Sequence, residues 1–109
     1  MTRVDNWRKK IDRVDKQLVS LLNERARLAE EIGKLKETLG QEVYSPEREE
    51  EILRNVIKWN DGPMPVDVLR RLYERILDES RALEQLAMAG RKQNSPPQKR
   101  SNPKKRRRG

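Results

Sequence analysis

Apolar residues recur along the first 39 residues of the chain in alternating steps of three and four. They are Val4, Trp7, Ile11, Val14, Leu18, Leu21, Leu28, Ile32, Leu35 and Leu39, with one position of the series missing. Residues at this spacing share one face of an α-helix. Proline is absent from the segment and Gly40 follows it as a stop signal, so the pattern predicts a single helix over residues 4–39.

This predicted helix is too long for its own domain. At ~1.5 Å per residue it spans ~50 Å, whereas a compact domain of ~90 residues has a radius of gyration of ~12 Å. Its apolar stripe therefore extends beyond what the rest of the chain can cover. A second copy of the chain would cover it, so the pattern predicts a homodimer with a nearly aligned pair of helices.

Two further helices are predicted after the first. Ser45 is a suitable N-cap and Pro46 suits the first helical position, which predicts a helix over residues 46–60 that the turn at 61–63 ends. A third amphipathic pattern extends over residues 65–89. No segment has the alternation typical of a strand. The predicted fold class is all-α, a three-helix protomer with one long N-terminal helix.

The net charge of +8 is concentrated at one end of the chain. Nine of the 26 basic residues lie in residues 91–109, which contain no acid, and residues 1–90 hold the other 17 against all 18 acids. The segment 91–109 also lacks apolar residues, so it cannot form a core. We therefore predict a helical domain over residues 1–90 and a basic, disordered tail over residues 91–109.

Several classes of site are excluded by composition. The chain has no cysteine and no histidine, which excludes disulfides, thiolate metal sites and the usual base at neutral pH. No apolar run reaches membrane-spanning length, and the N-terminus lacks the apolar stretch of a signal peptide. The expected location is the cytoplasm.

Charged residues occupy positions where the helical pattern predicts apolar ones. Arg25 fills the missing position of the stripe, and Lys36, eleven residues later, lies within ~20° of it around the helix axis. Arg48 and Glu49 extend the apolar face of the second helix. Glu84 lies on the face of the third helix, one turn after a serine at position 80.

Two interpretations of these charges remain open at this point. In the first they are structural ion pairs, such as Arg25 with Glu49 or Glu84, that fix the register of a helical dimer. In the second, three cations with only two acids beside them form a site for a small polyanionic acid, because guanidinium groups match carboxylates in bidentate geometry.

Four motifs follow one another along the chain: "WRKKIDRVDKQLVSLLNERARLAEEIGKLK", "VYSPERE", "NDGP" and "ILDESRALE". In this order and at this spacing they resemble the all-helical chorismate mutases, over roughly residues 5–87. The resemblance implies an intertwined homodimer of three-helix protomers. It also implies the cofactor-independent rearrangement of chorismate to prephenate, on the route to phenylalanine and tyrosine.

The resemblance implies that Arg8 and Arg25 together bind the two carboxylates of the substrate. Arg8 would reach into the partner's site, and Arg25 would serve the site of its own chain. Arg48 matches an arginine of the substrate site. Ser80 matches a serine near a carboxylate.

Four other residues would contact the reacting ether and the ring hydroxyl. Lys36 matches the lysine that contacts the ether oxygen and a carboxylate, and Glu84 matches a Gln or Glu that donates to the ether oxygen. Glu49 matches the acid that accepts from the ring hydroxyl. Ser45 departs from the aspartate that many members carry. Because an ionised carboxylate cannot donate a hydrogen bond, Glu84 would have to be protonated to help.

Such a rearrangement requires no nucleophile, base or metal, which agrees with the lack of histidine and cysteine. It requires a folded substrate and fixed donors at the ether oxygen, so Lys36, Glu84 and Arg25 are the predicted catalytic residues. The alternative is an interaction module in which the basic tail binds nucleic acid or a partner enzyme, although the tail lacks the aromatic residues of specific readout.

Overall fold

The structure is a computed structural model that describes residues 2–93, with side chains described for residues 2–90. This part of the chain forms α1 (Arg3–Leu39), α2 (Pro46–Trp59) and α3 (Val66–Gln93), and it contains no strand. The predicted all-α fold with three helices and a long first helix is therefore confirmed. None of the described helices combines the length and apolarity that a bilayer span requires.

The long helix α1 is closed at both ends by local interactions. Thr2 and Asp5 form a capping box, in which the Thr2 hydroxyl accepts from the Asp5 backbone N–H at 3.0 Å and the Thr2 N–H donates to Asp5 at 3.2 Å. Gly40 adopts a left-handed conformation, with φ of 69°, and ends the helix. The 37 residues between these caps form one unbroken element, as the pattern predicts.

The ends of the other helices differ slightly from the prediction. Ser45 caps α2 by accepting from the Arg48 backbone N–H at 3.4 Å, and α2 ends one residue early because Asn60 adopts an extended conformation. The predicted end of α3 at residue 89 is wrong. Gly90 remains helical, because a glycine ends a helix by adopting positive φ, and among the described glycines only Gly40 and Gly62 do so.

Helix α3 packs against both other helices, whereas no Cα atoms of α1 and α2 come within 8 Å of each other in the described residues. Gly33 of α1 is buried and lies directly against the backbone of Glu84 in α3. A Cβ atom at Gly33 would lie 2.8 Å from the Cα of Glu84. The small residue thus brings α1 and α3 together at one end of the molecule, and a cleft remains between α1 and α2.

Residues 6–24 of α1, before the packed end, are all exposed. The radius of gyration is 17.3 Å, well above the ~12 Å of a compact domain of this length. Trp7 and Ile11 are 64% and 58% exposed, and Leu18 is 51% exposed. The described residues of one chain therefore leave the apolar stripe of α1 uncovered.

Candidate active site

A cleft of about 470 Å³ opens between the three helices at the packed end of the molecule. Seven of the eight residues proposed from the sequence line this cleft together. They are Arg25, Lys36, Ser45, Arg48, Glu49, Ser80 and Glu84. Three separate segments of the sequence thus contribute polar side chains to one concave surface.

The α1 wall of the cleft carries Arg25 at the edge of the face that packs on α3. Ala29 and Gly33 form the buried centre of that face, and Ala29 lies about 40° from Arg25 around the helix axis. The Arg25 guanidinium donates from Nη1 to the Ser80 hydroxyl of α3. It forms no ion pair with any described residue. Most of its donors therefore remain available to an anion in the cleft.

Lys36 lies three turns further along α1 and is held from two sides. Its Nζ donates to the backbone carbonyl of Val43 at 2.8 Å, in the connection between α1 and α2. The same ammonium lies 3.4 Å from Oε1 of Glu84 on α3. The side chains of Lys36 and Glu84 are only 20% and 15% exposed, so their charges interact in partly dehydrated surroundings.

One oxygen of Glu84 is left without a hydrogen bond. Oε1 is buried and accepts no hydrogen bond from any described residue, although it lies near the Lys36 ammonium. A buried carboxyl oxygen is costly unless a charge compensates it, and here the Lys36 ammonium supplies that charge. Glu84 and Lys36 thus present an acid and an ammonium side by side in the cleft.

The α2 wall carries its charges in the first turn of the helix. Arg48 is paired with Glu51 at 3.0 Å and is 61% exposed at the rim. The Ser45 hydroxyl caps the helix, which accounts for a serine at this position on structural grounds. The Glu49 carboxylate is directed toward α3, where both of its oxygens accept from Arg81, at 3.0 and 2.9 Å.

Arg81 is a residue of the cleft that sequence reasoning missed. It lines the cleft beside Ser80 and Glu84. The hydrogen bond with Glu49 raises the pKa of Arg81 above the ordinary arginine value. Its position contained a usable signal, because it lies four residues after the buried Leu77 and three before Glu84, on the inward face of α3.

Arg8 is the one predicted site residue that lies outside the cleft. Its side chain is 73% exposed, and its contact with Asp5 is an ion pair at 3.7 Å. It lies 17 residues before Arg25 on the same straight element, which corresponds to ~26 Å along the helix axis. Arg8 therefore cannot reach the cleft of its own chain.

The charges that line the cleft favour a bound anion. Arg25, Lys36, Arg48 and Arg81 supply four cations against the two carboxylates of Glu49 and Glu84. The ion pairs of Arg25 with either acid, considered from the sequence, are not formed, because Glu84 pairs with Lys36 and Glu49 with Arg81. An arginine without an acid and a surplus of positive charge suit a small acid with more than one carboxylate.

The interaction-module alternative depends on the basic tail, residues 91–109. Residues 94–109 and the side chains of 91–93 lie outside the described residues.

Comparison with known proteins identifies relatives of this fold. The model of the family described as chorismate mutase type II matches residues 7–85. The bifunctional chorismate mutase/prephenate dehydratase of Aquifex aeolicus is 36% identical over 88 residues, which cover 77% of this chain and 24% of that protein. The chain spans between 21% and 24% of the length of four such bifunctional relatives.

Two solved structures have the same fold. A chorismate mutase structure from Thermus thermophilus superposes with a TM-score of 0.75 at 42% identity, covering 77% of this chain and 96% of that one. The crystal structure of chorismate mutase from Helicobacter pylori in complex with prephenate gives a TM-score of 0.72 at 28% identity, covering 79% of this chain and 93% of that one.

Proposed function

Since the chain belongs to the chorismate mutase type II family, we propose that it catalyses the rearrangement of chorismate to prephenate. The observation that carries the proposal is the Arg25 guanidinium, which faces a cleft with surplus positive charge and has no acidic partner among the described residues. The bifunctional relatives, named for the mutase and for prephenate dehydratase, support a place in aromatic amino acid biosynthesis.

The carboxylates of chorismate determine how it would lie in the cleft. Arg25 faces the cleft from α1 and would bind one carboxylate, while Arg8 of a second chain would bind the other. Arg48 faces the cleft from α2 and would be a further arginine beside the substrate. Ser80 already accepts a hydrogen bond from Arg25 and would keep that guanidinium oriented. Glu49 would accept a hydrogen bond from the ring hydroxyl, and Ser45 supports that end of the site by capping α2.

Lys36 and Glu84 would act at the ether oxygen, where negative charge develops as the C–O bond breaks. Lys36 is oriented in advance by the Val43 carbonyl, so little reorganisation is needed when it donates to that oxygen. Glu84 would donate to the same oxygen in its protonated form, which would also give a role to the buried carboxyl oxygen. The protein's contribution is orientation and fixed charge, with no covalent intermediate.

A homodimer would complete the site. The uncovered stripe of α1 includes Trp7, Ile11 and Leu18, and a second α1 would bury it. Arg8 lies on this same projecting part of α1 and is too far from its own cleft, so in an intertwined dimer it would serve the cleft of the second chain. Light scattering coupled to size exclusion tests the assembly, with an expected mass of twice 12.9 kDa.

Loss of chorismate catalysed by the purified chain, followed by ultraviolet absorbance, tests the activity. We expect turnover by the wild type and a decrease of about a hundredfold or more for Arg25→Ala or Lys36→Ala, the effect of losing one fixed donor. Circular dichroism of the variants should retain the helical signal. A wild type without turnover, or variants with nearly normal turnover, would contradict the assignment.

The predicted cytoplasmic location remains a prediction, which cell fractionation tests.

A further inference from the structure

Arg81 makes more hydrogen bonds and ring contacts than any of the cleft residues proposed from the sequence. Besides the two hydrogen bonds to Glu49, its Nη2 donates to Asp78 at 3.2 Å. Its guanidinium lies over the ring of Tyr44, 4.9 Å from the centroid. The side chains of Arg81 and Glu49 are 28% and 24% exposed, so water replaces these contacts only in part.

We propose that Arg81 is a positioning residue that holds the Glu49 carboxylate in the orientation that binds the ring hydroxyl of the substrate. This inference rests on the proposed function. Two parallel N–H donors fix the plane of a carboxylate, which a single donor does not. Each carboxylate oxygen keeps a second acceptor position, so Glu49 still has room for a hydroxyl donor.

The charges around Glu49 explain why it needs to be held. Arg48 is adjacent in the sequence, and Arg25 faces the same cleft without an acidic partner among the described residues. Without Arg81, the Glu49 side chain would be drawn toward these cations, whose proposed task is to bind the substrate. Arg81 therefore keeps Glu49 available to the ring hydroxyl and keeps it away from the arginines that bind the substrate.

The kinetic effect of losing Arg81 follows from the chemistry of the hydroxyl. The ring hydroxyl takes no part in the bonds that form and break, so its hydrogen bond to Glu49 should be about equally strong in the bound substrate and in the transition state. Losing such an interaction raises KM and leaves kcat nearly unchanged. A variant that merely loosened the fold would lower kcat as well, because Lys36 and Glu84 would be displaced.

The test is a double-mutant cycle on chorismate turnover with Arg81→Met, Glu49→Gln and the double variant. Met keeps an apolar stem against Tyr44 and removes all donors. We expect Arg81→Met to raise KM by about 10- to 100-fold, as for loss of hydrogen bonds to a charged group. In the Glu49→Gln background the same change should alter KM by less than about twofold, because the two residues act as a unit.

Two further variants separate positioning from other effects. Arg81→Lys keeps the charge without the two-pronged geometry, and its KM should lie between those of the wild type and Arg81→Met. Arg75→Met is the matched control, since Arg75 lies on the same helix and pairs with Glu79 at 2.9 Å, but is 77% exposed. Its kinetic constants should equal those of the wild type.

A full effect of Arg81→Met in the Glu49→Gln background would overturn the inference, as would an unchanged KM in the single variant. A decrease confined to kcat would do the same. In each of these cases an active wild type leaves the proposed function standing. A wild type that fails to convert chorismate would overturn the proposed function, and the role of Arg81 with it.

Discussion

A mixture of two inactive variants should recover activity if Arg8 acts across a dimer interface. Arg8 and Arg25 lie on one helix, separated by ~26 Å along its axis, so a single chain cannot bring them to the same cleft. In a two-fold dimer, a chain carrying Arg8→Ala and a chain carrying Arg25→Ala would form two different sites. One site would lack both arginines, and the other would have both.

The size of the recovery follows from counting sites. Each variant alone should have about one hundredth of wild-type turnover or less. Random exchange of chains makes half of the dimers mixed, and one of the two sites in each mixed dimer is intact, so the mixture should reach about a quarter of wild-type activity. Mixed dimers purified with two different affinity tags should reach about one half.

The assay is chorismate turnover after the two variants are unfolded and refolded together, or produced in the same cells. A mixture of Arg25→Ala with Lys36→Ala is the matched control, because both residues line the cleft from the same chain and no mixed dimer would have an intact site. Recovery that does not exceed this control would refute the assignment of Arg8 to the second chain.

Further predictions test the packing at Gly33, the role of Glu84, the apolar stripe of α1 and the tail at residues 91–109. Gly33→Ala should destabilise the fold by about 1–3 kcal/mol in urea unfolding, because its Cβ would overlap the Glu84 backbone, whereas Gly90→Ala, with nothing within 4 Å, should not. Glu84→Gln should retain turnover, since an amide also donates a hydrogen bond; loss of turnover in this variant would exclude Glu84 as a donor to the ether oxygen. Ile11→Glu should reduce the molar mass toward 12.9 kDa in light scattering. Deletion of residues 91–109 should leave turnover unchanged, whereas the interaction-module alternative predicts that the deletion abolishes binding to nucleic acid or to a partner enzyme.

The helices of this protein could be predicted from sequence because their signals are local. The spacing of apolar residues, the serine before Pro46 and the glycine after Leu39 each act within one or two turns of backbone. The same periodicity predicted that Arg25 and Lys36 share a face, and both line the cleft. The predicted end of α3 at residue 89 was wrong because the helical conformation continues through Gly90 to Gln93.

The sequence by itself determined three helices, the apolar stripe of α1 and seven polar or charged residues of the cleft, but not Arg81. Only the tertiary structure decided which charge meets which: Lys36 with Glu84, Glu49 with Arg81, and Arg25 with a serine hydroxyl. The reason is physical. Helix periodicity fixes the direction of a side chain from its own residue number. An ion pair between helices also depends on the distance between them, which for α1 and α3 is set by the contact of Gly33 with the backbone of α3.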